Sequence, residues 1–317
     1  MKYLLTALFT LIITLLITAC DTKMVSEPLK IGTNDWPGYE SLYLAKSKEY
    51  YKTDVKMVEM GSASEVLRAY KNHAIELAAL TLDEVLLLRS QGFDPVVLAV
   101  LDISHGGDVI IAKNGISSMQ ELKGKFLGFE YTALGAYIVS RALEINDMSH
   151  DDIMLVPLEF SEHESAFEKS KVDAIVTFEP VRSYLLEKGG NTIFTSREIP
   201  GEIVDVLVVS KSKLEKNREK IKEILAGWAK AQNYLINETS KASIEIAARY
   251  KFTPKEFVTS LEGLKLPTPK ENIKIFKDSL PDVIKQLQKV MLSKKLMENS
   301  VNTTELLDSS LIESIVK

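Results

Sequence analysis

The chain of 317 residues contains one cysteine, four histidines and no run of Lys or Arg interleaved with aromatic residues. The single cysteine, Cys20, excludes an internal disulfide and any cysteine-built metal centre. His73, His105, His150 and His163 are scattered, without metal-ligand spacing and without a neighbouring nucleophile pattern, so neither a metal nor a catalytic constellation is expected. No glycine-rich phosphate loop and no fixed-period repeat is present, and no cofactor is expected. With a net charge of −5 and no basic patch, a nucleic-acid partner is not expected either.

What is present begins with a leader. A short basic start is followed by an apolar run over 4–17, broken only by threonines, and the run ends in Ile17-Thr18-Ala19-Cys20. This has the pattern of a secretory signal over 1–19. Its end resembles the bacterial lipobox, which implies lipid attachment at Cys20 and a cell-envelope location, facing periplasm or exterior. An uncleaved membrane anchor, for whose span the apolar length is marginal, and a simple cleaved signal are the alternatives. Residues 20–28 are polar and read as a tether.

Residues 30–51 organise the rest. Ile31 and Thr33 alternate as in a half-buried strand, Asn34-Asp35-Trp36-Pro37-Gly38 supplies loop chemistry, and from Tyr39 the apolar spacing becomes helical. The same strand-then-helix order recurs to about residue 103, begins again near residue 108, and gives way after residue 212 to an almost wholly helical tail. Two sets of βα units predict two α/β lobes, each a mainly parallel sheet flanked by helices, crossed twice by the chain near 103–110 and 201–208. The expected division is 29–105 with 207–317 for one lobe and 106–206 for the other.

Ligands of open α/β sheets sit beyond the carboxyl ends of the strands. The residues expected there are Asn34, Trp36, Tyr39, Ser62, Thr81, Asp83, His105, Tyr131, Thr132, Glu159, Phe178 and Glu179. For each, a helix cap, a solvated loop residue or a core aromatic is an alternative, and Asp83 in particular reads equally well as a cap. Acids also gather at these positions, Glu40, Glu84, Asp108 and Glu130 among them, with no Arg. Beside Trp36, Tyr39, Tyr131 and Phe178 they suit a small organic solute with a basic nitrogen, an amine-bearing heteroaromatic such as an aminopyrimidine or an amino-sulfonate zwitterion, better than a small anion.

The order of the lipobox, IGTNDWPGYESLYLAKSKEYY, ELKGKFLGFE, KVDAIVTFEPVRSYL and PDVIKQLQKVM resembles that of periplasmic solute-binding proteins of ABC transporters. Within these it is most similar to the nitrate/sulfonate/taurine and thiamine-pyrimidine binding group. The resemblance implies the two-lobed periplasmic binding protein fold (type II) with the ligand cleft between the lobes. It also implies a lipid-anchored monomer that closes on a small solute and passes it to a membrane permease and, through that, its ATPase. Trp36, Gly38 and Tyr39 match the family's first-loop motif, and Asp173-Ala174 with Glu179-Pro180 match a later one. Glu130-Tyr131-Thr132 departs from the Gly/Ser-rich turn of sulfonate- and nitrate-type members, which puts simple anion binding in doubt. Two alternatives stand beside transport. One is an enzyme like the thiamine-pyrimidine synthases, whose cysteine-rich iron-binding segment this chain lacks; the other is a ligand-sensing module of a signalling system.

Overall fold

The computed structural model describes residues 27–131, 133–249 and 252–316. The leader, Cys20, most of the tether and Thr132 lie outside them. Strand β1 (Leu29–Asn34) runs parallel between β2 (Val55–Met60) and β3 (Leu77–Thr81). Each of the three is followed by a helix that packs back on the sheet: α1 (Glu40–Ser47), α2 (Ala63–Lys71) and α3 (Leu82–Ser90). Pro37 opens the 3-10 turn before α1, a position that needs no N–H donor. Ser62 caps α2 by accepting from Glu65 N at 3.3 Å.

After β4 (Pro95–Ser104) the chain enters a second sheet through β5 (Val109–Ala112) and continues through β6 (Phe126–Glu130), α4 (Ala133–Ile145) and β7 (Met154–Leu158). It completes that sheet with α5 (His163–Glu168), β8 (Ala174–Thr177), α6 (Val181–Glu187) and β9 (Asn191–Thr195). It returns by β10 (Val204–Ser210) into α7 (Lys211–Asn237), then α8 (Thr239–Ala247), α9 (Pro254–Leu261), β11 (Leu264–Lys265), α10 (Pro269–Asp278), α11 (Leu280–Ser293) and α12 (Ser310–Ile315). The two sheets have the orders β11-β4-β10-β3-β1-β2 and β7-β6-β8-β5-β9. This is the two-lobed α/β architecture expected from the sequence.

Both sheets are mixed. In the first, β1 to β4 point one way and β10 and β11 the other; in the second, β6 to β9 share a direction and β5 opposes them. Most strands are therefore parallel in direction, as expected, and the reversed strands β5 and β10 are those that carry the chain in from the other sheet. Their amino ends thus lie beside the carboxyl ends of their neighbours. Strand β9 was not foreseen, because Asn191-Thr192 are polar and the apolar alternation is too short to register.

Helices α1, α7 and α12 cover one face of the first sheet, setting Leu42, Ile221, Leu225 and the fully buried Trp228 against Ile31, Leu77 and Leu98. Helices α2, α3 and α11 cover the other face with Val66, Leu86 and Leu287. Each buried Leu or Ile contributes roughly 1.5–3 kcal/mol. This second cluster runs on without a break into Leu127, Tyr137 and Ile138 of the second lobe, so the lobes share apolar contact beside the cleft. The tail also reaches the sheet by polar contacts. Asn272 of α10 brackets Val100, accepting from its N at 2.6 Å and donating to its O at 3.0 Å, and Gln232 of α7 donates to Leu101 O at 3.0 Å.

Candidate ligand-binding cleft

The strand ends of both sheets meet in one cleft, whose cavity of about 40 Å³ suits a compact solute. Trp36, Phe178, Leu134, Ile138 and Val176 supply its apolar wall. Tyr39, Thr81, Glu84, Asp108, Glu130, His163 and Asp205 supply the polar one, together with Asn34. Among the described residues, no Lys or Arg lines it.

The Trp-Pro-Gly-Tyr loop after β1 positions two of these groups. Trp36 stands edge-on to Phe178, with ring centroids 5.5 Å apart, and Phe178 in turn stacks on Phe160 at 4.4 Å. The indole Nε1 donates to Asp102 Oδ2 at 3.1 Å, and the Tyr39 hydroxyl donates to Asp205 Oδ1. Gly38 makes room for this network, since a Cβ on it would lie 1.8 Å from Asp102 Oδ2.

Asp102 and Asp205 are register partners on β4 and β10, and a bulge falls just beyond them, where Val206 pairs with Val100 and Leu101 is left over. Two like charges directly opposite in a sheet repel. Burial first of all pushes both carboxyls well above the usual carboxylate range; the neighbouring Asp102 raises Asp205 further and the neighbouring Asp108 raises Asp102, while hydrogen bonds from the Trp36 indole and with Asp205 offset part of the rise on Asp102. Glu84 is raised by burial and by Asp83, and burial moves Asp108 up to about 7. Glu84 Oε1, Asp108 Oδ2 and Asp205 Oδ2 are all buried without a hydrogen-bond partner among the described residues. His163 completes this wall: Nδ1 lies 3.2 Å from Thr177 Oγ1, Nε2 has no partner among the described residues, and burial lowers its pKa to about 4, leaving it neutral.

Helix N-termini at the cleft offer amides that would ordinarily favour an anion. Here carboxylates of the chain itself occupy them. Glu84 accepts from Thr81 N at 3.0 Å at the start of α3, and Glu130 accepts from Ser64 N at 3.1 Å in the first turn of α2. A third carboxylate, Glu179, accepts from Ser183 N at 3.1 Å in the first turn of α6, away from the cavity wall.

Of the residues expected from the sequence, the cavity wall includes Asn34, Trp36, Tyr39, Thr81 and Phe178. Six others do not line it. Ser62 caps α2 and donates to Glu159 Oε2 at 3.1 Å, so both belong to a contact between lobes. Asp83 is buried behind the wall, on the first turn of α3. His105 lies in the crossing segment, where its N donates to Gly263 O at 2.8 Å and its O accepts from Arg197 Nε at 2.9 Å. Tyr131 is 78% exposed, outside the cleft. Glu179 is turned onto Arg182 and Ser183. Thr132 lies outside the described residues.

Asp102 and Asp205 escaped the sequence reading, although each stands as a lone acid inside an apolar strand, VLAVLDIS and VDVLVVS, which is a signal in itself. His163 was passed over as a scattered histidine, since only the tertiary fold brings α5 to the cleft.

Comparison with known proteins agrees with this architecture. A relative from Escherichia coli (strain K12), named for binding aliphatic sulfonates, is 24% identical over 249 residues, covering 76% of this chain and 77% of its own. The alkanesulfonate-binding protein SsuA of Xanthomonas axonopodis pv. citri, solved with MOPS, superposes with a TM-score of 0.75 at 17% identity over 90% of this chain and 100% of its own. The ligand-binding component of an ABC-type import system from Staphylococcus aureus, solved with zinc, gives 0.76 at 13% identity, covering 92% and 99%. These likenesses establish the periplasmic binding protein fold. The model of the family described as NMT1/THI5 like matches residues 36–242, more than half of the chain, and the chain belongs to that family.

Proposed function

We propose that this is the solute-binding protein of an ABC importer and that it captures a small organic solute carrying a basic nitrogen, such as an aminopyrimidine, for delivery to a membrane permease. One observation carries the ligand class: three buried carboxylate oxygens, on Glu84, Asp108 and Asp205, lie around one small cavity without a partner among the described residues, and no cationic side chain lines that cavity. A buried charge without a counterion is costly, and a cationic ligand that donates N–H groups would relieve all three at once. Trp36 and Phe178 add apolar surface to the wall for a flat ring, with cation–π attraction of about 0.5–2 kcal/mol. The relatives' names point to sulfonates. In this chain, however, helix amides at the cleft that could hold a sulfonate are occupied by Glu84 and Glu130.

The lobes, 29–105 with 207–317 and 106–206, close on the solute as bodies, with no chemical step. The protein acts as a monomer, held to the cell envelope through Cys20, and Cys20→Ser should release it from the membrane fraction. The ligand class is tested by native mass spectrometry of co-purified small molecules and by titrating tryptophan fluorescence with 4-aminopyrimidine, taurine, ethanesulfonate and nitrate. Saturable binding of ethanesulfonate or nitrate, with no response to either amine, would overturn it.

A further inference from the structure

Strands β6 and β7 are parallel neighbours, and each ends in a carboxylate that reaches out of the second lobe. Glu130, the last residue of β6, places Oε1 3.1 Å from Ser64 N and 2.7 Å from Ser64 Oγ, in the first turn of α2 in the other lobe. Glu159, directly after β7, accepts from Ser62 Oγ at 3.1 Å and lies 3.9 Å from Arg68 of the same helix. The two acids differ in setting. Glu159 is half exposed, whereas Glu130 is 7% exposed and also forms part of the cavity wall. The turn beyond β6 is tight, because a Cβ on Gly135 would lie 2.1 Å from Glu130 O. The backbone that carries Glu130 is thereby held close against the start of α4.

From this juxtaposition we propose that Glu130 is a specificity-determining residue: it seats a protein-borne carboxylate on the α2 amide across the cleft, denying that position to a free oxyanion and making closure favour a cationic solute. The role rests on the solute reading above. A carboxylate tethered to the opposite lobe competes at high effective concentration with any dissolved anion for the same donors. Its seating also links closure to ligand choice, since the contact forms only when the lobes meet and then adds a negative group to the wall. Closing on a sulfonate would set two anions against one helix end. Closing on an amine would set Glu130 beside an opposite charge.

The experiment compares wild type, Glu130→Ala and Glu130→Ser by calorimetric titration with ethanesulfonate and with 4-aminopyrimidine, after circular dichroism and melting show which variants fold. The serine variant keeps a polar strand end should the alanine variant fail to fold. Expected is no saturable ethanesulfonate binding to wild type, a gain of it in the variants, and a shift of at least about tenfold in the ratio of the two affinities toward ethanesulfonate. Folded variants that remain blind to ethanesulfonate and keep the wild-type affinity for 4-aminopyrimidine would overturn the role of Glu130 and leave the solute reading standing. Saturable ethanesulfonate binding by wild type itself, without a response to 4-aminopyrimidine, would instead sink the solute reading, and this role with it.

Discussion

Asp102 and Asp205 face each other across the antiparallel pair of β4 and β10, both buried, one bonded to the Trp36 indole and the other to the Tyr39 hydroxyl. An isosteric amide separates their roles in stability and in binding. Asp205→Asn can still accept from Tyr39 while donating its Nδ2 hydrogens to Asp102, so once the wild-type pair ionises it replaces repulsion by attraction. The ligand-free variant should melt a few degrees above wild type at alkaline pH, with amine affinity about a hundredfold lower. Differential scanning calorimetry and titration with 4-aminopyrimidine would check both, and a variant that is less stable while binding normally would contradict this account of the pair.

Trp36 is the reporter of the cleft. Of the two tryptophans, Trp228 is fully buried on the inner face of α7 with its Nε1 donating to Ser41 Oγ at 3.0 Å, and only Trp36 lines the cavity. Trp36→Phe should abolish the ligand-induced fluorescence change, leave Asp102 Oδ2 without its indole donor and cost roughly tenfold in affinity. A full-sized response in that variant would place the solute elsewhere.

Gly38→Ala forces a methyl group into the space held by the Asp102 carboxylate and within 2.7 Å of Trp36 Nε1. Neither group can retreat far in a packed wall. The expected loss is roughly 1–3 kcal/mol of stability and more than tenfold in amine affinity. Chemical denaturation and titration of the variant would read both quantities, and normal values would mean that the first loop is looser than its packing indicates.

The acid-lined wall also fixes a pH dependence. Asp108 titrates near 4 in the unfolded chain and near 7 when folded, and Glu84, Asp102 and Asp205 are raised as well. Between those limits the folded protein binds more protons than the unfolded chain, so stability without ligand should fall as pH rises from about 5 to about 8. The drop in melting temperature should reach roughly 5 °C. A permanently cationic solute favours the ionised wall, so its affinity and its stabilising effect should grow over the same range. Melting curves with and without solute across this range decide the matter, and a ligand-free melting temperature that rises with pH would refute it.

Much of this was legible in the chain itself. The switch of apolar spacing from two to helical after Asn34, the Trp-Pro-Gly-Tyr loop and the repeated βα order pointed to the two-lobed α/β fold, because these signals are local. Acid and aromatic residues stood out at strand ends, and both residue types line the cavity. The reading weakened where position depends on strand direction. Searching carboxyl ends favoured Tyr131 and Glu179, which point away, and passed over Asp205 at the amino end of a strand that runs backward through its sheet. Burial of Asp102 inside VLAVLDIS needed no structure to suspect, but its partner directly opposite on β10 did.

Strand β10 lies between β3 and β4 and bonds to both, so those two strands have no ladder of their own. During synthesis the ribosome releases β1 to β4 about a hundred residues before the strand that joins them, while all five strands of the second sheet emerge uninterrupted. The half of the protein that starts first must therefore finish last. Asn272, which holds both backbone groups of Val100 at the bulge, comes out later still. A nascent chain halted at residue 203 would carry a second sheet able to complete its pairing beside two unjoined pieces of the first. The paired acids of the cleft would not yet exist, so the ability to hold a solute is acquired only after the chain has committed to its whole fold.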